Sequence, residues 1–162
     1  MQIEPYSLSE HLMFLTVRIT ALDSAGILGT GTAFYFTFGP ESAKGNGWLV
    51  LVTNTHVLYN EEEDIHGHMQ VTRVADRLEF NMHVDGKDGQ RQPNFPVSIK
   101  LDGRQYDHPE VDLSVIFFGD VYADLSNKGA TPYLKAFNEF DIESDVFLSK
   151  ELSGINEATI VG

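Results

Sequence analysis

Apolar and polar residues alternate along much of this chain in short runs broken by Gly, Asn and Asp, a pattern that predicts strands rather than long helices. Between His11 and Leu22, the residues Met13, Leu15, Val17 and Ile19 recur at every second position, as on a strand with one buried face. A turn at Ser24 to Leu28 precedes a second strand, Gly29-Thr-Gly-Thr-Ala-Phe-Tyr-Phe-Thr-Phe38, entered through two glycines that let backbone pack closely or bend sharply. Gly39 to Gly47 reads as the loop of a hairpin. Trp48-Leu-Val-Leu-Val52 is continuously apolar, as expected of a strand covered on both faces, and it runs directly into a polar tetrad, Thr53-Asn-Thr-His56. Further strands are predicted from Val71 to Val84, singly or as a pair, from Pro96 to Leu101 and from Val111 to Phe118, with turns at Asp85 to Gly89 and Asp102 to Arg104. About six strands is the count of a small closed antiparallel barrel, so the expected fold is all-β. From Val121 the pattern loosens into a connector, with a short helical turn expected near Leu134 to Phe140 and a last strand-like piece at Ala158 to Val161.

Composition narrows the partners. The 162 residues include 24 acidic and 11 basic side chains, a formal net charge of −13 that repels phosphate backbones and anionic lipid. Neither nucleic acid nor a membrane surface is therefore an expected partner. The chain has no cysteine, so no disulfide or cysteine-ligated zinc holds the fold, which suits a reducing, cytoplasmic setting. The first twenty residues lack the basic start and long apolar stretch of a secretory signal, and no apolar run approaches the ~20 residues that cross a bilayer.

Three segments carry chemistry. The first is the glycine strand at Gly29 and Gly31. The second, Leu51-Val-Thr-Asn-Thr-His-Val-Leu58, sets His56 just past a buried strand, where a rigid scaffold holds an imidazole at the rim of a cleft. The third, Val111-Asp-Leu-Ser-Val-Ile116, sets Asp112 at the mouth of another apolar strand. Taken singly, a histidine after a strand is an ordinary loop residue and an aspartate before one is an ordinary turn residue. The Gly29-x-Gly31 pair is no dinucleotide fingerprint, because neither a third glycine nor a helix follows. His66 and His68, at i and i+2, point the same way on a strand and could share a metal with His83, Asp64 or Glu63, but they follow an acidic run, Glu61 to Asp64, that reads as a solvated loop. No metal site and no cofactor is expected.

Together and in order, the three segments resemble the trypsin-like, chymotrypsin-fold serine peptidases, in which a Gly-x-Gly-[ST] strand is followed by Thr-[AN]-x-His-[CV] and then by Asp-[LI]-[AS]-[LV]. The Thr-Asn-x-His-Val form is similar to that of bacterial, disulfide-free members. The resemblance covers residues 11 to 120 with motifs. It implies a six-stranded chymotrypsin-like barrel over residues 1–120, the first of the usual two, and over 121–162 a connector with the first strand of a second barrel that is missing or only begun. It further implies His56 as general base and acid and Asp112 as the residue that orients it, in a cytoplasmic bacterial endopeptidase acting on peptide or protein through an acyl-enzyme.

The sequence departs from the family at the nucleophile. No Gly-x-Ser-Gly segment occurs; the one Ser-Gly pair, Ser153-Gly154, lacks the preceding glycine. This chain is accordingly expected to lack triad hydrolysis alone. It is expected to be a piece of a longer enzyme, with one chain of a two-chain enzyme and a non-catalytic interaction barrel as the alternatives. An apolar surface left where the second barrel packs predicts self-association, or a second chain carrying the serine barrel.

Overall fold

The computed structural model describes residues 14–39, 47–86 and 90–138. Among them the chain is β-rich, with eleven strands and one α-helix. The strands are β1 (Thr16–Asp23), β2 (Gly26–Phe38), β3 (Trp48–Thr53), β4 (Tyr59–Glu63), β5 (Met69–Val74), β6 (Arg77–Gly86), β7 (Arg91–Lys100), β8 (Gln105–Asp107), β9 (Ser114–Phe117), β10 (Ala130–Pro132) and β11 (Phe137–Asn138). Helix α1 is Gly119–Asn127, and a 3-10 turn at Thr55–Val57 follows β3.

Nine strands form one sheet in the order β10-β6-β1-β2-β3-β9-β8, with β7 on the second edge of β6 and β11 beside β2; β4 and β5 form a separate hairpin. All pairings are antiparallel except β11 with β2. The period-two pattern sets the register. Val17, Ile19 and Ala21 of β1 face one core with Ala33 and Tyr35 of β2, Leu51 of β3, Leu78, Phe80 and Val84 of β6, Val97 and Ile99 of β7, and Ile116 of β9. Burying each valine, leucine, isoleucine or phenylalanine among them contributes about 1.5–3 kcal/mol. Hydrogen bonding does not close the sheet among the described residues. Its two ends, β7 and β8, are nevertheless consecutive in the chain, and they add Ile99 and, through the pairing of β8 with β9, Ile116 to one core.

Several expectations need correction. The first strand begins at Thr16; residues 11–13 lie outside the described residues, as do most of the Gly39 to Gly47 loop and the loop between β6 and β7. The turn before the glycine strand is tighter than expected, because Asp23 already pairs with Gly26. The acidic run Glu61 to Glu63 is not a loop but strand β4, paired with β5. In place of a loose connector, α1 begins at Gly119, and Leu134 to Ala136 form no helical turn. β3 is covered on both faces from Val50 to Thr53, as expected, and only its start is open, where Trp48 stays 65% exposed. The last strand-like piece, Ala158 to Val161, lies outside the described residues.

Candidate active site

The 3-10 turn Thr55–Val57 carries His56, and its position explains the two glycines of β2. A Cβ on Gly29 would stand 2.7 Å from the Val57 carbonyl oxygen, and one on Gly31 would stand 2.6 Å from Val57 Cγ2, so any larger residue would push the turn away. Buried Val57 and Leu58 anchor the turn in the core. Thr53 Oγ1 donates to the Thr32 carbonyl at 2.9 Å, fixing the end of β3 just before it.

Asp112 sits in the loop before β9. That loop is closed by its own hydrogen bonds: His108 N–H donates to the Leu113 carbonyl at 2.8 Å, and His108 Nδ1 accepts from the N–H groups of Glu110 and Val111, each at 3.1 Å. The pairing of β9 with β3, which sets Ser114 opposite Thr53, then brings the loop to the 3-10 turn.

There the Asp112 carboxylate is held at both oxygens. Oδ1 accepts the backbone N–H of His56 at 2.9 Å, and Oδ2 lies 2.6 Å from His56 Nδ1. Asn54 Nδ2 donates to Oδ2 and to the Asp112 carbonyl, both at 3.1 Å. The His56 backbone N–H, then its side chain, hold the Asp112 carboxyl below the usual carboxylate range. The carboxylate stays ionised at neutral pH, so Nδ1 carries the proton it shares with Oδ2, and Nε2 is left as the basic nitrogen. His56 is 70% exposed and Asp112 48%, so the pair is open to solvent at the rim of the sheet. An imidazole oriented in this way can take a proton from a hydroxyl or water at Nε2 and return it. Among the described residues no serine or threonine hydroxyl hydrogen-bonds His56.

A second carboxylate, Asp107 at the end of β8, lies beside this pair and was not singled out in the sequence. It accepts from Ser114 Oγ at 2.5 Å, from Gln105 Nε2 at 2.8 Å and from the Tyr59 hydroxyl. A serine inside the apolar run Leu113-Ser-Val-Ile116 was the available signal, because a buried hydroxyl needs a partner.

His66 and His68 occupy the tip of the β4–β5 hairpin, where Asp64 Oδ1 accepts their backbone N–H groups at 2.8 and 3.0 Å. Asp64 thus closes a turn, and no group of three or more metal-ligating side chains occurs among the described residues. No helix there is long and apolar enough to cross a membrane.

No family model matches this sequence, and no curated protein or solved structure matches it.

Proposed function

We propose that this chain is the histidine- and aspartate-bearing barrel of a trypsin-like serine peptidase, with β7 and β8, joined by the turn at Asp102 to Arg104, completing the barrel. The observation that carries the reading is the doubly held Asp112 carboxylate, one oxygen on the His56 backbone N–H at 2.9 Å and the other on Nδ1 at 2.6 Å. In the proposed reaction Nε2 of His56 takes the proton of a serine hydroxyl as it attacks the scissile carbonyl, then gives it to the leaving amine. Asp112 keeps the tautomer and stabilises the imidazolium. The 162 residues contain no Gly-x-Ser-Gly segment, so the serine and the pocket that selects substrate belong to a second barrel, in the same polypeptide or in a partner chain.

An apolar sheet face supports a second packing body. Phe34, Phe36 and Phe38 of β2 stand beside Val52, Val50 and Trp48 of β3, and Val115 and Phe117 of β9 continue the rows. The three phenylalanines of β2, with Val50, Val52, Val115, Leu113 and Phe137, line an apolar groove of about 500 Å³. The same face favours a second reading, a non-catalytic interaction barrel descended from such a peptidase.

The two readings part on a direct assay. The native gene product is incubated with a mixed peptide library and the fragments are read by mass spectrometry. The peptidase reading expects cleavage that falls about 10⁴-fold in Asp112→Asn, where the wrong tautomer is no longer suppressed. Peptides retained but uncut by wild type would support the interaction barrel instead.

A further inference from the structure

We propose that Asp107 is a positioning residue for the His56–Asp112 pair, acting as a clamp between the turn that carries the histidine and the strand that follows the aspartate. The proposal takes the pair's chemical role from the peptidase reading, but the geometry it concerns stands without it.

The clamp is built from residues that bracket both partners. Thr55 and Tyr59 flank His56 in the chain, and Asp107 and Ser114 flank Asp112. Ser114 Oγ lies 2.5 Å from Asp107 Oδ1 and 2.9 Å from Thr55 Oγ1. A serine hydroxyl has one proton, and a carboxylate can only accept. Ser114 therefore donates to Asp107 and accepts from Thr55, which gives the chain a direction: Thr55 to Ser114 to Asp107. On the other side the Tyr59 hydroxyl donates to Asp107 Oδ2, and Gln105 Nε2 donates to the Tyr59 oxygen at 2.8 Å. Both chains of donors end on one carboxylate, so Thr55, just before His56, and Tyr59, three residues after it, are drawn to the β8–β9 pair beside the Asp112 loop.

The surroundings make the carboxylate hard to replace. Ser114 is fully buried and Asp107 is half-buried. Burial pushes the Asp107 carboxyl up, but the hydrogen bonds from Ser114, Tyr59 and Gln105 together hold it below the usual range. The same burial, followed by the bond to Asp107, pushes the Tyr59 hydroxyl up to about 12, so it remains a donor throughout the neutral range. Both Asp107 oxygens accept from donors, so an asparagine there would turn an NH2 group toward a donor whichever oxygen it replaced, and one arm of the clamp would open.

The test uses the 162-residue chain and reads the His56 ring, so it needs no serine. In wild type, the proton between His56 Nδ1 and Asp112 should give a protected, downfield ¹H–¹⁵N signal. Thr55→Val, which keeps the shape and removes the hydroxyl, should abolish that signal, and Thr55→Ser, which restores the hydroxyl, should return it. Asp107→Asn should abolish it as well. Asp124→Asn, which removes an exposed carboxylate paired with Lys128 on α1, is the control and should leave it intact. A wild-type signal that survives both Thr55→Val and a folded Asp107→Asn would overturn the clamp. Should Asp107→Asn fail to fold, the Thr55 pair decides alone. Loss in Thr55→Val without return in Thr55→Ser would also count against it. A clamp that passes in a native protein that cuts no peptide would overturn the peptidase reading and leave the clamp standing.

Discussion

Asp112 is the residue on which the site converges, because it gathers a backbone N–H, an imidazole and the Asn54 amide. Asn54 donates to the same oxygen that faces Nδ1, so it limits where the carboxylate can swing. Asn54→Ala should therefore raise the Asp112 titration midpoint toward its ordinary value of 3.8, read from the carboxyl ¹³C shift. The sign of the linkage is that of a depressed carboxylate. The stability Asp112 contributes is present above 3.8 and is lost as pH falls through its lower folded value, so Asn54→Ala should shrink that contribution and complete its loss at a higher pH, with the onset unmoved. At this scale His56 and Asp112 could be singled out because they stand in short local segments whose order carries information; Asn54 stands in the same segment, but its bond to Asp112 crosses from the end of β3 to the loop before β9. Asp107, Tyr59 and Gln105 were not. Their meeting depends on the pairing of β8 with β9 and on where β4 leaves the 3-10 turn, neither of which is a local property of the chain.

At the scale of elements, the glycine strand and the 3-10 turn form one unit. Gly31→Val would drive its side chain into Val57, and the overpacking should cost about 1–3 kcal/mol while displacing the turn that bears His56. Chemical denaturation would read the first effect and the His56 Nδ1–H signal the second; a variant with wild-type stability and an unmoved signal would mean the close contact is not maintained in solution. The β4–β5 hairpin is tied on differently, by Asp23, whose two oxygens accept from Arg73 Nε at 2.7 Å and Nη2 at 2.6 Å. The Arg73 hydrogen bond lowers the Asp23 carboxyl from 3.8 to about 2. Being depressed, it contributes stability above 3.8 that disappears as pH falls through about 2. Acid unfolding should lose part of its slope over that interval in Asp23→Asn; an unchanged acid titration would show that the pair contributes nothing there. Alternation in β1 and β2 made those strands readable. The acidic strand β4 was misread because three of its five residues are glutamates and, among the described residues, it pairs with β5 alone, so no apolar period marks it.

For the molecule as a whole, the β-rich class was readable from period-two patterning, whereas the strand count and the open hydrogen-bond path were not. The small strands β8, β10 and β11 are two or three residues long, too short to show a period. Helix α1 buries no residue fully, so its apolar stripe is weak and its segment read as a connector. The apolar face of β2, β3 and β9 should make this chain associate with itself or with a second body. Phe36→Lys, placed at its centre, should shift sedimentation toward monomer; a wild-type chain that stays monomeric at high concentration would contradict this use of the face. The most direct measurement of the central claim is labelling of the native gene product by a fluorophosphonate, read by intact mass. One adduct per molecule in wild type, absent in His56→Ala, is the result expected of a peptidase to which this barrel supplies the base. A native product that takes no label, or that labels equally well without His56, would contradict it.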